Sequence, residues 1–152
     1  MPITISTLMR REDGTLVDYR QFSERLRDPL YIEGAVVIDC DGAQVLDASM
    51  EDLVDQLWAY LIAGAEALQQ GEDFRTFFPD QPLKLSIRHV GPRLLIATNA
   101  EVARKAVVET RAFLRELALE GQAFFAWLDG VAGATGYAEL CGRARRLDSA
   151  LG

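Results

Sequence analysis

The chain has 152 residues, 49% of them hydrophobic, and a formal net charge of −7. That length suits one domain, residues 1–152, whose apolar core needs no metal or disulfide staple. The acidity disfavours direct nucleic-acid binding. No apolar stretch reaches the ~18 residues of a membrane span, and Cys40 and Cys141 are too few and too far apart for a disulfide framework.

The opening MPITISTLMRRED has no apolar signal-peptide core, so a reduced, cytoplasmic protein is expected. Within it, Ile3, Ile5, Thr7 and Met9 alternate onto one face and predict a strand. Asp13-Gly14 is a turn signal. Thr15 to Phe22 reads as a second short strand or an irregular arm, and Ser23 to Arg27 as a helical turn ended by Pro29. Leu30, Ile32, Val36, Ile38 and Cys40 share the inner face of the next strand. Asp41-Gly42 then predicts a tight hairpin into Ala43 to Leu46, because a type I′ turn needs positive φ at both positions.

The first helix is marked by Met50, Leu53, Val54, Leu57, Trp58, Leu61, Ala65 and Leu68 at three- and four-residue steps. Ser49 with Asp52 has capping-box spacing, and Gly71 is a natural stop. Residues 71–82, GEDFRTFFPDQP, read as a packed-down loop in which Phe74, Phe77 and Phe78 seal the core or offer an aromatic anchor. Leu83, Leu85, Ile87 and His89 alternate with Lys84, Ser86, Arg88 and Val90, the pattern of a half-buried strand. Gly91-Pro92 turns it into a strand from Arg93 to Thr98, with a third near Val102 to Val108. Leu114, Leu117, Gly121, Phe124, Phe125 and Leu128 line a helix that starts near Thr110 and is broken by Asp129-Gly130 and Gly133. Tyr137, Leu140, Cys141, Ala144, Leu147 and Leu151 mark the last helix, with Arg143, Arg145 and Arg146 outside. The order predicts an α+β fold: an antiparallel sheet of about five to seven strands with three helices packed mainly on one face.

Charge is unevenly spread along the chain. Residues 1–30 carry five Arg and five acids, residues 31–80 eleven acids against the single base Arg75, and residues 81–152 ten bases and seven acids. Such an acidic segment either solvates one face or steers a basic partner.

Catalytic signals are sparse. His89 is the only histidine, and a Cys40–His89 dyad is imaginable because both residues fall near strand ends. No Gly-x-Ser-x-Gly elbow or phosphate-binding loop accompanies them. Asp39-Cys40-Asp41-Gly42 resembles the start of a calcium loop, but Met50 stands where the closing Glu is required. One His and two distant Cys have no zinc spacing. No catalytic residue, metal site or cofactor is expected.

VDQLWAYL (54–61) and FFPDQP (77–82), followed by the alternating strand, resemble an uncharacterised family of small bacterial α+β proteins over residues 30–128. Some of that family are similar to immunity proteins of polymorphic toxin systems. The resemblance implies an antitoxin that neutralises a toxin effector by direct protein–protein binding and is not an enzyme. The acidic segment would then face a basic toxin surface. Asp39, Asp41, Asp47, Glu51, Asp55, Glu72 and Asp73 are its candidate contacts, and Tyr60 its candidate aromatic anchor. The alternatives are a non-catalytic scaffold or homodimeric assembly module, and a small hydrolase using Cys40 or a carboxylate pair.

Overall fold

The computed structural model describes residues 2–26, 28–132 and 136–152. The strands are β1 (Ile3–Arg10), β2 (Leu16–Asp18), β3 (Glu33–Cys40), β4 (Ala43–Leu46), β5 (Asp52–Leu53), β6 (Phe74–Phe78), β7 (Gln81–Val90), β8 (Arg93–Thr98) and β9 (Arg104–Glu109). The helices are α1 (Val54–Gln69), α2 (Thr110–Ala132) and α3 (Tyr137–Leu151). The class is α+β, as the sequence implies. The strands divide between two antiparallel sheets: a five-stranded one ordered β2-β1-β3-β4 with β5 also on β3, and a four-stranded one ordered β6-β7-β8-β9.

The first sheet forms for the reasons its sequence suggests. Ile5, Thr7 and Met9 of β1 and Val36, Ile38 and Cys40 of β3 are buried. Asp41 (φ +56°) and Gly42 (φ +88°) make the expected hairpin turn. Leu30 is the exception on this face, at 83% exposed. Asp28 accepts from the Leu30 amide, and its carbonyl accepts from the Tyr31 amide, so a turn delays the strand until Glu33. Ser23 to Leu26 form no helical turn, and Arg27 lies outside the described residues. Instead Phe22 and Leu26 pack against the core, and Glu24 accepts from the Glu12 amide at 2.8 Å.

Helix α1 starts later than its capping box predicts. Asp52 and Leu53 pair with Gly34 and Glu33 as β5, so the backbone is extended where the first turn was expected. The Val54 amide donates to Ile32 O, and Ser49 bonds Asp47 rather than a helix amide. Of the acids Glu51, Asp52 and Asp55 near this end, Asp55 alone lies in the first helical turn. The helix ends as expected: Gly71 (φ +87°) donates to Leu68 O and Glu72 to Ala67 O, the Schellman arrangement.

The predicted loop 71–82 is largely strand. Phe74, Thr76 and Phe78 point inward along β6, while Arg75 and Phe77 point outward, with a register shift at Phe77/Phe78. Phe78 is buried, and the Phe74 ring lies over Gly64, where a Cβ would come within 2.6 Å of it. Helix α2 runs through Asp129 and Gly130 to Ala132. Leu128 is fully buried there, and packing of that turn outweighs the weak helix propensity of one exposed glycine. Gly133 lies outside the described residues.

Helices α1 and α2 lie against strands of both sheets. Helix α1 packs on β3 and β6, α2 lies on β1 and beside α1, and α3 packs on α2 and α1. The sheets meet where β4 runs beside β8 and β9. There Thr98 Oγ1 donates to Val45 O, and Arg104 donates to Gln44 O and pairs with Asp47. Trp58, Phe113, Phe124 and Phe125 fill the middle of the core. Among the described residues, no helix is long and apolar enough to cross a membrane.

Candidate functional site

Cys40 and His89 lie on different sheets and line different depressions. Cys40 faces Ile3, Val108 and Ala112, whereas His89 faces Leu68, Thr110 and Leu114. His89 Nε2 sits 3.2 Å from Glu72 O. Burial, reinforced by Asp39, pushes the Cys40 thiol up, opposite to what a nucleophilic thiolate needs. These two residues therefore form no dyad. Among the described residues, no group of three or more His, Cys, Asp or Glu could hold a metal ion.

The eight candidate contacts do not form one patch. Asp39 and Asp41 belong to the β3–β4 turn, where Asp39 Oδ1 accepts from the Gly42 amide at 2.7 Å. Glu72 and Asp73 follow α1, and Asp73 accepts from the His89 amide at 2.9 Å. Asp55 lies at the other end of α1, whose 16 residues span about 24 Å. Asp55 accepts from Tyr137 Oη at 2.7 Å, and Glu51 from Arg10 at 2.9 Å. Asp47 takes bonds from Ser49 and Arg104. Burial opposes Asp47's ionisation, but these donors outweigh it and hold the carboxyl below its usual range. Glu66, likewise from the acidic segment, pairs with Arg143. Tyr60 is half exposed on α1, at 38%. Much of the negative charge in the middle of the chain thus joins elements inside the fold.

Two carboxylates are buried among the described residues, Asp52 in this segment and Glu120 outside it. Glu120 of α2 is only 8% exposed. Trp58 Nε1 donates to Thr7 Oγ1 at 3.0 Å, Thr7 donates to Glu120 Oε2 at 2.8 Å, and Arg20 reaches Glu120 Oε1 at 3.1 Å. Burial pushes the Glu120 carboxyl up, and the Thr7 and Arg20 contacts offset only part of that. The relay ties β1, α1 and α2 together and satisfies every polar group in it. The helical period also carries the signal for Glu120: it stands three residues after Leu117 and four before Phe124, on the apolar stripe of α2, and what the sequence does not show is its partners.

The outer face of the four-stranded sheet is built differently. Cross-strand register sets Arg75, Ser86, Ala97 and Lys105 in one row across all four strands. Arg88, Leu95 and Val107 form the next row, and Phe77 stands opposite Lys84. All of these side chains are exposed or half-buried, with Phe77 60% and Val107 41% exposed. Asp73, Arg75, Lys84, Ser86, Arg88 and Asn99 contribute to a shallow trough of about 690 Å³. No ion pair among the described residues engages Arg75, Lys84, Arg88, Arg93 or Lys105. The nearby acids are turned to backbone amides: Asp73 to His89, and Glu109 to Arg111 and Ala112 at the start of α2. This is a positive, partly apolar face in a chain of net charge −7. The polar side of β7 is legible from alternation, but its assembly with Arg75 and Lys105 depends on strand pairing.

No protein-family model, curated protein or solved structure matches the chain.

Proposed function

We propose that the chain is a protein-binding domain of the immunity type, which neutralises a toxin effector by direct contact, with the outer face of the four-stranded sheet as its contact surface. One observation carries this reading. The outer side of the four-stranded sheet is exposed or half-buried, and it presents Leu95, Ala97 and Val107 among bases that form no ion pair among the described residues. Apolar residues ringed by polar ones suit a contact surface. The reading moves the contact away from Asp47, Glu51 and Asp55, which are bonded within the fold. Both cysteines are free, and a reducing cytoplasm is the proposed place of action.

The test is growth rescue. Where a toxin effector is encoded beside this chain, cells producing it should survive when the chain is co-expressed. They should die when it carries Ala97→Trp, which fills the trough from an outward-facing position. No rescue by the unaltered chain would sink the immunity reading. Full rescue by the Trp variant would remove this face as the contact surface.

A further inference from the structure

We infer that what binds on this face is an extended, carboxylate-bearing segment of the partner protein, laid across the four strands. This rests on the reading of the face as a protein-binding surface. Arg75 and Lys105 stand at the two ends of one cross-strand row, on β6 and β9. Three strand spacings separate them, about 14 Å. In an extended chain, residues four apart lie on the same side and are also about 13–14 Å apart. Two carboxylates at that separation can meet both bases at once. Between them the row holds only Ser86 and Ala97, small enough for a backbone to lie close to the sheet. Arg88 and Lys84 flank the row on either side along β7 and widen the positive strip.

Charge decides the class of occupant. A basic segment would be repelled by Arg75, Lys84, Arg88, Arg93 and Lys105, none of which is in an ion pair among the described residues. A nucleic acid would meet the same bases, but the field of a chain with net charge −7 opposes its dense phosphate charge more than the few carboxylates of a short peptide. It would find Ser86 and Ala97 at the central positions, where a single-strand platform needs aromatic rings for stacking. A short acidic stretch of protein carries the complementary charge without the phosphate backbone's density.

Fluorescence anisotropy with a labelled, alternating Ser-Glu peptide tests the inference on the full chain. Saturable binding that weakens with salt is expected. The Arg75→Glu, Arg88→Glu, Lys105→Glu triple variant should lower the affinity at least about tenfold, and Ala97→Trp should also lower it. Urea unfolding midpoints near the unaltered chain's would show that both variants still fold. No binding of the Ser-Glu peptide, unchanged affinity in the triple variant, or tighter binding of a Ser-Lys peptide or single-stranded DNA would overturn it. Binding of the effector separates the two levels. Loss with Ala97→Trp but not with the triple variant leaves the face standing and removes the acidic segment. Loss with neither variant removes the face itself.

Discussion

The two sheets treat charge in opposite ways. On the five-stranded sheet and its flanks, several charged groups are joined in pairs: Arg10 with Glu51, Arg20 with Glu120, and Asp47 with Arg104 from the other sheet. On the outer face of the four-stranded sheet, Arg75, Lys84, Arg88 and Lys105 have no such partners among the described residues. The segment that looks most charged in the sequence therefore offers less free charge than its composition suggests. A charge already bonded within the fold cannot engage a partner without breaking that bond, whereas an unpaired surface charge needs only to shed water.

Substitutions can break this contrast. The largest effect is expected from Thr7→Val, which keeps the shape but removes the hydroxyl between Trp58 Nε1 and Glu120. It strands a buried indole N–H and leaves a buried carboxylate one donor short, and should cost about 2–3 kcal/mol in urea unfolding. A loss below about 0.5 kcal/mol would mean that the relay does not hold β1 to the helices.

A smaller, pH-dependent effect is expected at Glu120. Its folded pKa is raised above the ordinary 4.5, so its contribution to stability is fully present below that value. It is lost as pH rises through the folded value, because the folded state then surrenders a proton that it held more tightly than the unfolded chain did. Asp47 has the opposite sign. Its folded pKa is lowered, so its contribution is present above the ordinary 3.8 and is lost as pH falls through the folded value. Glu120→Gln should therefore gain on the unaltered chain as pH rises from below 4.5 towards neutrality. Denaturation curves at a series of pH values measure this, and a gap that moves the other way contradicts it.

The smallest effect belongs to the open face. Replacing Arg75, Arg88 and Lys105 together by Gln should change stability by no more than about 0.5 kcal/mol, since surface side chains without partners hold little together. A loss of several kcal/mol would show that these bases serve the fold and would erase the contrast between the sheets.

Local patterning determined much of this protein. Alternation in ITISTLM and in residues 83–90, the Asp41-Gly42 hairpin, the Gly71 helix stop and the apolar stripes of α1, α2 and α3 each depend on neighbours a few positions away, and they lead to an α+β domain. The tertiary structure decided whatever depends on distant backbone. Asp52 and Leu53 left the helix because β3 offered them strand partners, and residues 74–78 became an edge strand because β7 did. Register alone assembled Arg75, Ser86, Ala97 and Lys105 into one row, and helix packing brought the inward-facing Glu120 to Thr7. Local pattern sets which residues prefer burial. Which charges meet a partner, and which stay open to solvent, is set by contacts between segments far apart in the chain, whose pairing energies no short window of sequence contains.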